Sequence, residues 1–179
     1  LVTIGKIKDH FLSGECNRAL GMESRSIKDQ QITASSSFDK DSTGPQHARL
    51  GSTSGSGAWC PYPQINSTTI EWIEIDLKDT MILTGVKTQG RYDHGRGNEF
   101  ARFYRLEYWR SSVGEWRQLI RENGNIVIEG NTDTRSAVPY HHDGGVVVEK
   151  VRIYPLSNTT RTICMRLELY GCPYNGKSY

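Results

Sequence analysis

Four cysteines, Cys16, Cys60, Cys164 and Cys172, are the residues of this sequence whose type and spacing most plainly carry chemistry. They form an even set spread along the chain, and none stands in a Cys-x-x-Cys pair that would suggest zinc or dithiol redox work. Two disulfides are the simplest reading, with the connectivity left open by spacing alone. Disulfides belong to an oxidising compartment. The sequons Asn66-Ser67-Thr68 and Asn158-Thr159-Thr160 point the same way and mark Asn66 and Asn158 as glycosylation sites.

Catalytic constellations are missing. There is no Gly-x-Ser-x-Gly elbow, no His-Glu-x-x-His and no phosphate loop. Gly95-Arg96-Gly97 lacks the helix that a nucleotide fingerprint needs and reads as a turn. His141-His142-Asp143 would place neighbouring side chains on opposite faces of an extended chain, so a shared metal ion is disfavoured and a solvated loop before Gly144-Gly145 is expected. Asp93-His94 in its Gly-rich loop is read the same way. The expectation is a binding module with no catalytic residue, metal or cofactor.

A chain of 179 residues, 36% hydrophobic, suffices for one core. The formal net charge is +2 with both signs interspersed, which offers nothing to nucleic acid or to an anionic membrane surface. No apolar run approaches the roughly 20 residues of a membrane span. Residues 1–15, with Lys6, Lys8 and Asp9, are expected to be a leader segment outside the fold.

The elements that must carry any site are strands. Ile163, Met165, Leu167 and Leu169 alternate with Cys164, Arg166, Glu168 and Tyr170, predicting one core face and one open face. Ile73, Ile75 and Leu77 alternate with Glu74 and Asp76, and Tyr104, Leu106 and Tyr108 with Arg105 and Glu107. Val147, Val151 and Ile153 predict another strand. Asn123-Gly124 predicts a hairpin joining Gln118-Leu119-Ile120 to Ile126-Val127-Ile128. No stretch has sustained helical periodicity. The fold class is therefore all-β, an antiparallel sandwich or jelly roll. Two polar segments, Ala34–Gly57 and Arg91–Glu99, are read as ordered end-loops, where such folds concentrate binding residues.

Read in order, the sequence resembles the discoidin domain of the discoidin domain receptors, a family of collagen-activated receptor tyrosine kinases. The resemblance rests on Leu20-Gly21-Met22, Ile32-Thr33-Ala34-Ser35-Ser36, Arg49-Leu50, Gly57-Ala58-Trp59-Cys60-Pro61, Ile75-Asp76-Leu77, Thr88-Gln89-Gly90-Arg91, Glu99-Phe100-Ala101 and Cys164-Met165-Arg166-Leu167-Glu168-Leu169-Tyr170-Gly171-Cys172. It implies an eight-stranded jelly roll over residues 16–172, with 173–179 starting a linker to a further domain. It also implies the pairings Cys16–Cys172 and Cys60–Cys164, an extracellular location in the ectodomain of a single-pass plasma-membrane protein, and a receptor homodimer.

In that family collagen occupies a groove at the loop end. The matching positions are Phe38, Thr43, Ser56, Arg91 and Glu99, beside the Cys60–Cys164 bond. A triple helix offers no sheet edge; it presents side chains from a rigid polyproline-type rod, so its groove needs an apolar floor and a polar rim. Phe38 and the disulfide would supply the floor, Thr43 a methyl or hydroxyl, and paired Arg91 and Glu99 the rim. The sequence is divergent: Phe38 stands where the family has tryptophan, Ser56 where it has aspartate, and Asp39–Pro45 is one residue longer. With that aspartate replaced, Arg91 is expected to rely on Glu99 alone. The competing readings are a phospholipid-binding discoidin module, which uses apolar spikes above basic residues, and a glycan-binding one built on Arg91, Tyr92 and His94.

Overall fold

The computed structural model describes residues 16–176; the expected leader segment, and residues 177–179 of the expected linker, lie outside them. Eight strands form one antiparallel arrangement: β1 (Arg18–Ala19), β2 (Ile32–Ala34), β3 (Ile73–Gln89), β4 (Phe103–Trp109), β5 (Trp116–Gln118), β6 (Ile128–Glu129), β7 (Val138–Leu156) and β8 (Arg166–Pro173). The order is β1-β8-β3-β7-β4-β5, with β2 on β3 and β6 on β4.

β3 and β7, at 17 and 19 residues, are too long for a single layer of a small sandwich and change partners along their length. The first part of β3, Ile73 to Asp76, pairs with β2 along Ile73–Ile75 and with Lys150–Ile153 of β7, which in turn carries β4. Beyond a register shift between Asp76 and Met81, the second part pairs with β8 and with the start of β7. Such irregularities bend a strand, and here they let two strands serve both layers of the jelly roll. The core between the layers holds Ile73, Ile75, Leu83, Tyr104, Leu106, Val148, Val151, Ile153, Met165, Leu167 and Leu169. The alternation of β3, β4 and β8 thus places the expected residues inside.

Four sequence expectations need correction. In β7 it is Val148 that is fully buried, because the register shift between Val148 and Lys150 changes the phase and leaves Val147 half-buried. The Asn123-Gly124 turn forms, with the Arg121 N–H donating to the Asn125 carbonyl at 2.9 Å. Its flanking runs, however, do not pair with each other; β5 and β6 lie in succession along β4, because Leu119 and Ile128 are both drawn into the core. His141-His142-Asp143 is strand, not loop: His141 pairs with Gly85, meets Asp143 at 3.1 Å, and leaves His142 to the Tyr140 hydroxyl at 3.0 Å. Finally, the face expected to be open is largely covered: Cys164, Arg166 and Glu168 are as buried as the leucines opposite them, and only Tyr170 is half-buried.

Both charges on β8 are covered by chain crossing that face. The Glu168 carboxylate accepts the N–H groups of Gly21, Met22, Glu23 and Leu169 at 2.9–3.2 Å, which offsets the cost of burying it. Arg166, two residues earlier on the strand, is bound to the main-chain carbonyls of Gly90, Ser52 and Thr134. The disulfides Cys16–Cys172 and Cys60–Cys164 both form. They sit beside opposite ends of β8, about 26 Å apart at the rise of an extended strand.

Candidate ligand-binding site

The Cys60–Cys164 end gathers three loops, and short helical turns order the first of them. Asp39 caps the turn Lys40–Thr43 by accepting the Ser42 N–H at 2.8 Å, and a second turn follows at Pro45–His47. The His47 ring then spans to the Ser54 hydroxyl (3.1 Å) and the Asp41 carbonyl (2.7 Å), closing the Ser- and Gly-rich stretch over itself. The polar segment Ala34–Gly57 is thus an ordered end-loop.

Main-chain hydrogen bonds then lace the loops together. Phe38 N–H donates to Cys60 O (2.8 Å) and Cys60 N–H to Thr43 O (3.1 Å); Ser56 N–H reaches Ser42 O (2.7 Å). Asp93 N–H donates to Ser56 O (3.1 Å), Tyr92 N–H to Gly57 O (3.1 Å) and Arg91 N–H to Glu99 O (2.8 Å). The five residues singled out from the sequence therefore stand on one connected frame. Gly57 makes the middle junction possible: its φ is +75°, and a Cβ there would lie 2.5 Å from that of Tyr92.

The side chains on this frame differ in what they offer. Phe38 is 67% exposed, so its ring is held out from the core. Thr43 is 6% exposed, and its hydroxyl accepts the Asp39 N–H and donates to the Asp39 carbonyl, both at 2.9 Å. Arg91 and Glu99 form a two-point pair, Nε to Oε2 at 2.7 Å and Nη2 to Oε1 at 3.2 Å. Their side chains are 19% and 25% exposed, which leaves edges for a ligand. Hydrogen bonding to Glu99 raises the Arg91 pKa. Burial works against the charged form of Glu99, but the hydrogen bonds from Arg91 and from the Asn98 N–H outweigh it and hold the carboxyl below its usual range.

Arg91 does not rely on Glu99 alone. Asp93 Oδ2 lies 3.3 Å from its Nη1, so a second carboxylate is present although Ser56 carries none. The expectation failed because it considered only the position of the replaced aspartate, whereas Asp93, bonded through its N–H to the Ser56 carbonyl, brings its charge to the same guanidinium. Alternation could not have signalled this contact, because the chain turns at Tyr92 and enters the short helical turn Asp93–Gly95.

Sequence reasoning also missed Arg166. Only 3% exposed, it donates through Nε to Gly90 O (2.7 Å), through Nη1 to Ser52 O (3.0 Å) and through Nη2 to Thr134 O (3.0 Å). It thereby fixes the residue before Arg91 and the strand of chain leading to Ser56. Burial lowers its pKa. Gly90 admits this convergence, since a Cβ there would come within 2.6 Å of Glu99 O and 2.8 Å of Thr134 Cα.

Elsewhere, Asn66 and Asn158 line one cleft of about 330 Å³ with Arg105 and Tyr154. Asn158 is exposed, while the Asn66 amide oxygen accepts from the Thr68 and Thr69 N–H groups at 2.9 and 3.1 Å. Among the described residues no group of three or more His, Cys, Asp or Glu is arranged to hold a metal ion. Among them, too, no helix is long and apolar enough to cross a membrane.

The described residues form a jelly roll stapled at both ends that presents an ordered loop cluster, the architecture of a binding module. Residues 31–169 match the F5/8 type C domain, and the chain belongs to that family, the discoidin domains. It is 48% identical over 161 residues to the discoidin domain-containing receptor tyrosine kinase B of Caenorhabditis elegans. It is 40% identical over 166 residues to the human epithelial discoidin domain-containing receptor 1. These alignments cover 90% and 93% of this chain but only 20% and 18% of the receptors, so the chain spans about one fifth of the relatives it matches. In structure it is similar to discoidin II of Dictyostelium discoideum, with TM-score 0.70, 21% identity, and coverage of 91% of this chain and 61% of that one. A family 32 carbohydrate-binding module of Clostridium perfringens, solved in complex with galactose, shares the fold at TM-score 0.59 and 14% identity, covering 86% of this chain and 98% of the module.

Proposed function

We propose that this domain recognises triple-helical collagen through the loop cluster at the Cys60–Cys164 end, as the extracellular ligand-binding part of a receptor. The observation that carries the reading is the laced frame. It holds an exposed Phe38 and a half-buried, two-point Arg91–Glu99 pair on adjoining loops, an apolar contact beside a preorganised polar rim. The resemblance to the discoidin receptors supports collagen as the class of ligand, and the receptor tyrosine kinase among the relatives supports a kinase elsewhere in a longer protein, which a single-pass anchor would join to this domain as part of a homodimer.

In this reading Phe38 meets an apolar collagen side chain, Arg91 and Glu99 contact main-chain or hydroxyl groups of the rod, and Asp93 takes over the second carboxylate. Thr43 acts through the loop, since its hydroxyl closes the Lys40–Thr43 turn. Asn66 and Asn158 carry glycans, and the domain proper runs over residues 16–172.

The test is solid-phase binding of the purified domain to native collagen and to the same collagen after heat denaturation, with a chelator present. Binding to the native form alone supports the reading. Binding to neither form moves the function to phospholipid vesicles or to a glycan array.

A further inference from the structure

Tyr62 is 70% exposed, comparable to Phe38 at 67%. Its backbone is constrained on both sides. Pro61 and Pro63 flank it, fixing their own φ and restricting Tyr62 to extended backbone. The Tyr62 N–H donates to Ser36 Oγ at 3.0 Å, and Ser36 in turn donates to the Glu71 carboxylate at 2.6 Å and accepts the Trp59 indole N–H at its carbonyl at 2.9 Å. Phe38 N–H is bonded to Cys60 O, two residues from Tyr62. One short frame, Ser36–Phe38 against Cys60–Tyr62, therefore holds out two aromatic rings.

We infer that Tyr62 is a second aromatic contact of the same site, taking a prolyl or hydroxyprolyl ring of the collagen rod while Phe38 takes a neighbouring side chain. The inference rests on the collagen reading. Aromatic faces are the general partners of polyproline-type helices, and an aromatic already ordered before binding loses little freedom on contact. Charge favours this occupant over a membrane. Across residues 35–43 and 60–71 the charged residues are Asp39, Lys40, Asp41 and Glu71, a net acidic set that repels anionic headgroups.

The test compares wild type, Tyr62→Ala and Tyr62→Phe on native collagen, on triple-helical peptides in which the imino acids of one triplet at a time are replaced by alanine, and on phosphatidylserine vesicles. The expected result is roughly tenfold weaker collagen binding for Tyr62→Ala, near wild-type binding for Tyr62→Phe, and unchanged melting. One alanine-substituted peptide should weaken wild type but not weaken Tyr62→Ala further. Wild-type affinity of Tyr62→Ala for collagen overturns the inference and leaves the collagen reading intact. Equal loss in Tyr62→Phe overturns ring contact in favour of the hydroxyl. Failure of wild type on collagen, with or without Tyr62-dependent vesicle binding, overturns both.

Discussion

Arg166 Nε donates to the carbonyl of Gly90 at 2.7 Å, which ties a buried strand cation directly to the residue preceding Arg91. Because the same guanidinium holds Ser52 O and Thr134 O, one side chain fixes three loops. Arg166→Met should strand three carbonyls without donors and destabilise the domain by roughly 3 kcal/mol, measured as a urea midpoint shift. Hydrogen exchange should rise first at residues 90–99, and a uniform rise over the whole domain would refute a local role.

Arg91→Ala and Glu99→Ala should each weaken collagen binding by at least about tenfold, since the first leaves a partly desolvated Glu99 without its partner and the second leaves Arg91 only the longer contact to Asp93. The pair remains accessible to solvent, so the cost in stability should stay within about 1 kcal/mol. Solid-phase binding and a thermal melt on the same preparations separate the two effects.

Asp93→Asn should reduce collagen affinity severalfold while keeping the loop fold, because Asp93 N–H still donates to Ser56 O and the lost group is the carboxylate 3.3 Å from Arg91. A variant that binds like wild type would return Arg91 to Glu99 alone.

Acid should act late. The folded-state pKa of Glu99 is depressed, so the contribution of its ionised form is present above the unfolded value and is lost as pH falls through the folded one. Collagen binding should hold from pH 7 to 5 and decline only below the ordinary glutamate value of about 4.3. A midpoint near pH 6 would point to a histidine instead.

Reduction of both disulfides should unfold the domain or loosen it severely. The bonds close loops of sequence separation 156 and 104, and in the chain-entropy model each contributes about 4–5 kcal/mol. That is a large share of a typical domain's stability. A melting temperature unchanged after verified reduction would remove this account.

The strands were legible because alternation is a local property. Ile73 and Ile75, Tyr104 and Leu106, and Leu167 and Leu169 announce a core face within a few residues. Arg166 and Glu168 were not, since a charge alternating with leucines reads as solvent-facing, and what buries them arrives from residues 32 to 147 positions away. The phase of β7 failed for a similar reason, because a register shift leaves no mark in the alternation of Val147, Val151 and Ile153. For the site, the family pattern named its positions, but the lacing that joins Phe38 to Cys60 and Ser56 to Asp93 is made by main-chain groups, which all residues possess. Exposure of Phe38 and commitment of the Thr43 hydroxyl are equally tertiary facts.

The placement of the two disulfides has a mechanical meaning. β8 joins Cys164 at the loop end to Cys172 at the other, and it is zipped to β3 from Arg166 to Pro173. Tension between a matrix fibre held by the loops and chain leaving beyond Cys172 would run along this strand. It would load the inter-strand bonds together in shear, while Cys60 and Cys16 anchor each end covalently to the rest of the fold. A domain tethered in that way would transmit pulling force without first peeling apart.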